Sequence, residues 1–309
     1  MTIMTEFMLM GFPGDWIIQK LHAALFFLIY LAALMGNLLI VILTSIDQQL
    51  QAPMYFFLKN LSLIDICYIS VTVPKSIMNS LNNSHSISFL GCASQVYFVI
   101  FFAGAEYALL IVMSYDRYAA ICCPLHYENI MNRDTCVHMV TASWLIGCVY
   151  GSIHVAGTFS VNFCGSNVVY QFFCDFCAVP SLLTLACSEK QILEYTFVTY
   201  SFLYLLFMIS SFFHSISAFL RILLPQTKSR FKIISTCIYH LIMVTLAAFS
   251  GIVIHLDTNK SAPPLNLFMS VYILLLSSLT LLVYNLSNRD VKVAFAILLA
   301  SKMQLLWYL

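Results

Sequence analysis

Residues 89–118 read FLGCASQVYFVIFFAGAEYALLIVMSYDRY and combine the two features that decide the fold of this chain. Up to Tyr115 the stretch holds a single charged residue, Glu106, so it can form a helix that crosses the roughly 30 Å of hydrocarbon in a bilayer. Asp116 and Arg117 then place two opposite charges where such a helix would leave the membrane. The stretch predicts a transmembrane helix with a charged pair at its end.

The composition of the whole chain indicates a membrane protein. Of the 309 residues, 61% are hydrophobic and only 9% are charged, whereas a soluble domain carries roughly 25% charged residues. So few charged residues cannot cover a protein surface that faces water. Most of the surface of this protein must therefore face the lipid bilayer. The net charge of +1 gives no reason to expect a nucleic-acid partner.

Seven apolar segments are long enough to span a bilayer, which takes roughly 20 residues. Only helices and closed barrels satisfy their backbone hydrogen bonds in lipid, and the alternating strands of a barrel are absent. We therefore predict an all-α membrane protein, a seven-transmembrane helix bundle forming a single domain over residues 1–309. The predicted spans are 21–46, 53–78, 89–115, 137–159, 192–220, 233–256 and 265–286, and a charge-interrupted apolar stretch, 288–302, is predicted to be a short C-terminal interfacial helix.

The distribution of lysine and arginine predicts the orientation of the bundle. With the N-terminus outside, ten of the 14 basic residues lie on the inner side and four on the outer side. Because inner loops carry the excess of positive charge, we expect a multi-pass protein of the cell membrane with an extracellular N-terminus and a cytoplasmic C-terminus.

Cysteines cluster on the predicted outer side. The long outer loop holds Cys164, Cys174, Cys177 and Cys187, and Cys92 lies at the outer start of the third span. The secretory lumen permits disulfides, so a bridge from Cys92 to this loop is expected. The residues alone leave its partner open.

Two acidic residues, Asp65 and Glu106, lie in the middle of the second and third spans. Burying a charge in a membrane costs a few kcal/mol or more, so these carboxyls need a reason to be there. One interpretation is a polar switch or sodium site shared by the two groups. The other is a pair of protonated, hydrogen-bonded carboxyls with a packing role.

No pattern of residues favours an enzyme. The chain has no HExxH, no metal-ligand spacing among its histidines, no Gly-rich phosphate loop and no GxSxG elbow. An ion or proton transporter or channel is the alternative class, because Asp65 and Glu106 could line an ion path. The absence of inverted repeats and of paired broken helices counts against it.

Several motifs together resemble vertebrate olfactory receptors, a branch of the rhodopsin-like G-protein-coupled receptors, across nearly the whole chain. They are Gly36-Asn37, PMYFFLKNLS at 53–62 followed by Asp65, MSYDRYAAIC at 113–122, Ser235-Thr236-Cys237 with His240, and Tyr284 with NRDVK at 288–292. The resemblance implies a receptor that binds small hydrophobic volatile ligands and activates a stimulatory G protein to raise cyclic AMP. It also implies a disulfide from Cys92 to Cys174, with Cys164 and Cys187 as the other loop cysteines of the family.

The same resemblance assigns roles to individual residues. The switch that meets the G protein would comprise Asp116, Arg117, Tyr118 and Tyr284. The ligand would contact Val99, Ile100, Ala103, Gly104, Tyr107, Thr196, Phe197, Tyr200, Gly251, Ile252 and His255. These positions include no carboxylate, so the expected ligand is neutral.

The chain departs from the family pattern in the fifth and seventh spans. Phe212 stands where a tyrosine is common, and Thr280-Leu281 replace the usual Asn-Pro pair before Tyr284. These changes predict weakened signalling and leave open a poorly signalling receptor remnant. Two sequons in predicted outer loops, at Asn82 and Asn259, are candidate glycosylation sites.

Overall fold

The computed structural model describes residues 5–9, 16–47, 50–82, 86–160, 168–169, 174, 206, 213, 291 and 293–296. The helices with defined bounds in these ranges are α1 (Trp16–Ile46), α2 (Pro53–Asn82), α3 (Phe89–Cys122), α4 (Tyr127–Ile130) and α5 (Arg133–Phe159). The strands are β1 (Glu6–Leu9), β2 (Ser86–Ser88) and β3 (Val168–Val169), and a short 3-10 turn, Pro124–His126, leads into α4.

Four of these helices, α1, α2, α3 and α5, are long and apolar enough to cross a membrane. They lie where the sequence places the first four spans, but α2 runs to Asn82 and α3 runs to Cys122, beyond the predicted ends at 78 and 115. A helix can extend past its apolar stretch because its hydrogen bonds join backbone groups and do not require apolar side chains.

The predicted spans at 192–220, 233–256 and 265–286 lie outside the described residues, apart from single helical positions at 206 and 213. Residues 291 and 293–296 are helical within the predicted interfacial segment. Val291 and Ala294 are each only 4% exposed and belong to the same hydrophobic cluster as α1, α2, α3 and α5.

The two central helices of the described part are α2 and α3. Their most apolar segments are 56% and 50% buried, whereas those of α1 and α5 are 22% and 28% buried. Large apolar side chains such as Leu28, Met35 and Leu145 are exposed on the outer helices. In a membrane these side chains face lipid, while α3 is enclosed by its neighbours.

Glycines allow α3 and α5 to approach closely. A Cβ built on Gly147 would collide with the carbonyl oxygen of Phe101 and would lie 2.9 Å from the backbone nitrogen of Ala105. One turn later, a Cβ on Gly151 would lie 3.1 Å from the carbonyl oxygen of Tyr97. Small residues four positions apart let transmembrane helices pack backbone against backbone, and Gly147 and Gly151 serve this purpose.

The outer ends of the helices are joined by a small sheet in which β1 is the central strand. β1 pairs antiparallel with β2, with Phe7 opposite Ile87, and parallel with β3, with Met8 opposite Val168. Side chains alternate along a strand, so Phe7 and Leu9 point inward. They join a set that we call the outer cluster, which consists of Phe7, Leu9, Ile87, Cys92, Val96, Ile100 and Cys174.

Helix ends are capped by side chains at two places. The Ser88 hydroxyl accepts a hydrogen bond from the backbone N–H of Gly91 at 3.1 Å, where α3 begins directly after β2. The Asn132 side chain accepts one from the backbone N–H of Thr135 at 2.8 Å at the start of α5. These caps satisfy backbone donors that the first turn of a helix leaves free.

We expect Gly147→Val to destabilise the protein, because the new side chain must push α5 away from Phe101 and Ala105. Overpacking of this kind costs about 1–3 kcal/mol. Thermal unfolding of the purified protein, followed by tryptophan fluorescence, should show a lower Tm than wild type. Ala142→Val adds the same kind of bulk at an exposed position of α5 and should leave the Tm unchanged. Equal Tm values for the two variants would contradict this account of the contact.

Candidate functional site

The inner end of α3 carries a buried ion pair. The Asp116 side chain is buried, and its Oδ2 accepts a hydrogen bond of 2.9 Å from Nε of Arg117 and a second one from an Arg117 terminal nitrogen. The Arg117 side chain is 21% exposed. The arginine therefore bonds to its neighbour in the chain and remains partly accessible from the inner side.

Tyr127, in α4, completes the bonding of this carboxylate. Its hydroxyl donates to Oδ1 of Asp116 at 2.7 Å, so each carboxylate oxygen has a partner. Burial raises the pKa of the Tyr127 hydroxyl, and the negative charge of Asp116 and the hydrogen bond to it raise this pKa further. The hydroxyl therefore stays protonated, and remains a donor, throughout the physiological pH range.

Sequence reasoning did not single out Tyr127. It lies in the segment Pro124-Leu125-His126-Tyr127, which follows α3 and shows no hydrophobic periodicity. The backbone brings it back to α3 because the 3-10 turn and α4 follow the helix directly. Of the other two predicted switch residues, Tyr118 is partly buried on α3, and Tyr284 lies outside the described residues.

The two intramembrane acids, Asp65 and Glu106, lie on α2 and α3, which pack against each other. Asp65 is 1% exposed on α2, and Glu106 on α3 is partly buried. Within the described part of the chain, neither carboxylate oxygen of Asp65 has a hydrogen-bond partner. A buried polar group without a partner costs about 1–3 kcal/mol, so Asp65 requires a proton, a water molecule, a cation or a group from elsewhere in the bundle.

Two further buried oxygen atoms near the centre of α1 and α2 also lack partners in the described ranges. They are Oδ1 of Asn37, whose amide nitrogen donates to the Ala33 carbonyl at 3.0 Å, and Oγ of Ser62. Ser62 and Asp65 are three residues apart and share one face of α2. Oxygen atoms are the ligands that hard cations prefer, so each of these atoms is of the chemical type that could bind Na⁺.

The five predicted ligand contacts on α3 face different neighbours. Val99 is buried in the large cluster with α1 and α2, and Tyr107 packs against the same cluster. Ile100 belongs to the outer cluster. A Cβ on Gly104 would lie 3.2 Å from Cα of Gly147 and 3.3 Å from the Tyr150 ring, so this residue faces α5. Ala103 is partly buried.

The other predicted ligand contacts lie outside the described residues: Thr196, Phe197, Tyr200, Gly251, Ile252 and His255. The structure therefore shows only the α3 wall of the predicted pocket, and ligand contact at each of these positions stays a prediction. The described outer half of α3, from Phe89 to Ala105, carries no charged side chain.

A disulfide joins Cys92 to Cys174, with a Cα–Cα distance of 5.4 Å. This is the pairing that the family resemblance implies, and it is confirmed. Cys164 and Cys187 lie outside the described residues, as does the sequon at Asn259. Asn82 is exposed at the last position of α2. Cys67, Cys123, Cys136 and Cys148 are free thiols.

The comparisons with known proteins agree with this arrangement. The family model described as "7 transmembrane receptor (rhodopsin family)" matches residues 36–259. The class that the helices and the inner ion pair define is thus a seven-helix membrane receptor. Human olfactory receptor 14L1 is 48% identical over 299 residues, covering 95% of this chain and 90% of its own length.

Two further relatives extend the match. Human olfactory receptor 14A16 is 46% identical over 309 residues, covering 98% of both chains. Olfactory receptor 1 from Rattus norvegicus is 39% identical over 299 residues, covering 94% of this chain and 93% of its own length. The chain belongs to the olfactory receptors of the rhodopsin family, and is therefore a multi-pass membrane protein of a receptor family rather than an enzyme family.

We expect Tyr127→Phe to raise agonist-independent signalling several-fold at equal surface density. The change removes a hydrogen bond to a charged group, which contributes about 1.5–3 kcal/mol, and so weakens the hold on Asp116 and Arg117. A cyclic AMP reporter normalised to surface-labelled receptor measures the effect. Tyr115→Phe makes the same chemical change at an exposed tyrosine of α3 and should have no effect. Unchanged or lower basal signalling in Tyr127→Phe would contradict the assigned role.

Proposed function

We propose that this protein is an odorant receptor that binds small, neutral, hydrophobic volatile molecules within its helix bundle. Ligand binding activates a stimulatory G protein and raises cyclic AMP. The observation that carries the proposal is the inner end of α3, where Asp116 holds Arg117 and Tyr127 holds Asp116. The membership of this chain in the olfactory receptor family supports the same function.

The inner network supports a switch because its charges cannot separate without a replacement partner. Asp116 is buried, and breaking a buried ion pair is strongly destabilising. Arg117 therefore remains bonded to Asp116 until a new acceptor is available. A G protein whose surface offers carbonyl or carboxylate oxygens would supply that acceptor, and the ligand would favour the state in which Arg117 is released.

The chemistry of the α3 wall supports a neutral ligand. Val99, Ile100 and Ala103 present only apolar groups, and a pocket between helices that is lined in this way binds chiefly by contact. A protonated amine would enter without a counter-charge from the described outer half of α3. An ion or proton transporter is the other class of function that the intramembrane acids allow, and no contact in the described residues favours it over a receptor.

The disulfide supports the proposed orientation independently of the basic residues. Cys92 and Asp116 lie at opposite ends of α3, and disulfides form on the side exposed to the secretory lumen. The Cys92 end is therefore proposed to be extracellular. β1 is on the same side, because it pairs with β2 directly before α3. We therefore propose that the N-terminus is extracellular and that, after seven spans, the C-terminus is cytoplasmic.

The departures in the fifth and seventh spans bear on the strength of signalling. Phe212 and Thr280-Leu281 lie outside the described residues, so weakened signalling is a proposal that rests on the sequence alone. In the described part of the switch, Arg117 and Tyr127 both donate hydrogen bonds to Asp116. We therefore propose a receptor that signals, with a response smaller than that of relatives with the usual helix-seven motif.

We also propose that Asp65, with Ser62, Asn37 and Glu106, holds a sodium ion. The support is the set of buried oxygen atoms without partners. At a sodium concentration about five times Kd, binding would stabilise the folded protein by about 1 kcal/mol.

The sodium proposal predicts that NaCl raises the Tm of the purified receptor relative to choline chloride at equal ionic strength. Asp65→Asn should abolish this difference, because it removes the ligand charge. Glu128→Gln, at an exposed acid in α4, should retain the difference. A wild-type Tm that is the same in both salts would refute the proposal.

The odorant proposal predicts that octanol or octanal raises cyclic AMP in cells that express the receptor at their surface, whereas octylamine of the same chain length does not. The neutral molecules avoid the cost of burying an unpaired charge. Arg117→Gln should remove the response when it is compared with wild type at equal surface density, because Arg117 is assigned to G-protein activation.

Octylamine as the best agonist would contradict the neutral-ligand assignment. If none of these molecules raises cyclic AMP and the purified protein carries ion flux in lipid vesicles, the chain is a transporter or channel and the receptor proposal fails.

A further inference from the structure

A buried glutamine, Gln95, joins three elements at the outer end of α3. Its side chain is 5% exposed. The amide nitrogen donates to the carbonyl oxygen of Val71 on α2 at 3.0 Å. The amide oxygen accepts from the backbone N–H of Cys174 at 2.9 Å. One side chain thus bonds α3 to α2 and to the outer loop.

The chemistry of this position suits an amide of this length. A primary amide offers both a donor and an acceptor, which the Val71 carbonyl and the Cys174 N–H require. Cys174 is fully buried, so without Gln95 its N–H would lose the partner that the structure shows. A buried donor without a partner is costly, and an apolar residue at position 95 would therefore allow the loop to move away.

Gln95 and the disulfide hold the same loop residue in different ways. Cys92 and Gln95 are three positions apart and so share a face of α3. The disulfide binds the side chain of Cys174, and its single bonds still allow the loop backbone to turn. The hydrogen bond from the Cys174 N–H removes this freedom, because it fixes the backbone itself.

The clamped loop residue packs on the predicted ligand wall. Cys174 and Ile100 belong to the outer cluster. Val99 lies one helical turn after Gln95 and packs in the other cluster, with α1 and α2. Gln95 therefore connects the loop to α2 on the part of α3 that also carries Ile100 of the outer cluster and Val99 of the other cluster.

We propose that Gln95 is a positioning residue for ligand binding: it fixes the backbone of the outer loop at Cys174 against α2 and α3, and thereby sets the packing of Ile100 and Val99. The proposal rests on the proposed ligand site at the α3 wall. It goes beyond that site because Gln95 acts through the loop and need not touch the ligand.

The clamp is tested first without any ligand. The full-length receptor in lipid nanodiscs is treated with dithiothreitol, and the thiols released at Cys92 and Cys174 are alkylated and counted by mass spectrometry over time. Dithiothreitol reaches the buried sulfurs only when the loop opens locally. Gln95→Met keeps the size of the side chain and removes both hydrogen bonds, so we expect reduction to be roughly fivefold to tenfold faster than in wild type.

The other variants separate loss of the clamp from loss of the fold. Gln95→Glu, protonated in this buried site, can donate to Val71 and accept from Cys174, and should restore a rate near that of wild type. Ser94→Ala, at the exposed neighbouring position, should also match wild type. If Gln95→Met is not recovered as folded protein, Gln95→Asn carries the same comparison, because its shorter side chain cannot reach both partners. A Gln95→Met or Gln95→Asn rate equal to that of wild type would overturn the proposal.

The effect on ligand binding is read from cyclic AMP dose-response curves for octanol and octanal. A positioning role shifts the half-maximal concentration of Gln95→Met several-fold higher, with Gln95→Glu near wild type. A purely structural role would lower only the surface number and the maximum, and that result would overturn the positioning role. If wild type responds to neither probe, the prediction that octanol or octanal is an agonist fails, while the reduction rates still decide whether the clamp exists.

Discussion

The described structure of the inner side depends on the hydrogen bonds and the ion pair that satisfy the buried carboxylate of Asp116. A charge in a low-dielectric interior must be paired, and removing one partner leaves an uncompensated charge. Arg117 supplies the opposite charge and Tyr127 supplies a neutral donor to the second oxygen. The segment after α3 is therefore tied to the helix by the need to satisfy this carboxylate, and any motion of Arg117 must be accompanied by a new acceptor.

The same helix is held at its outer end by different means. Cys92 forms a covalent bond to the outer loop, and Gln95 hydrogen-bonds that loop and α2. Phe7 and Leu9 of β1 belong to the same hydrophobic cluster as Cys92 and Cys174. Between the two ends, glycines bring α5 into backbone contact with α3. A helix that is fixed at both ends and packed closely on one side can pass a displacement from its outer half to its inner end with little loss, since packed interiors deform little. In the proposed function, this packing would couple a ligand near Val99 and Ile100 to Arg117.

Much of this architecture could be predicted from the sequence, because the bilayer imposes simple requirements. A segment that is apolar for the thickness of a membrane must be a helix, and the Asp116-Arg117 pair marks where the apolar stretch of α3 ends. Helix ends were less predictable: α2 and α3 extend past their apolar stretches. The disulfide could not be derived from the cysteines alone and followed from the family resemblance.

The sequence did not predict which polar side chains join separate elements through hydrogen bonds. Tyr127 lies in a short segment without hydrophobic periodicity, and β1 is too short to give a strand pattern. Gln95 did have a signal, since it is the only amide side chain between residues 89 and 115, where burying an amide without partners would be costly. The predicted ligand residues on α3 have different neighbours, which the sequence could not show: Gly104 faces α5, whereas Val99 packs with α1 and α2.

A double-mutant cycle on Asp116 and Tyr127 tests the central claim most directly. Asp116→Asn, Tyr127→Phe and the double variant are compared with wild type for basal cyclic AMP at equal surface density, and the coupling is the departure from additivity of the two single changes. If Tyr127 restrains Arg117 through Asp116, each single variant raises basal signalling, and Tyr127→Phe adds little once Asp116 is changed. If the two effects add on a logarithmic scale, Tyr127 acts independently of the carboxylate, and the account of the inner switch is wrong.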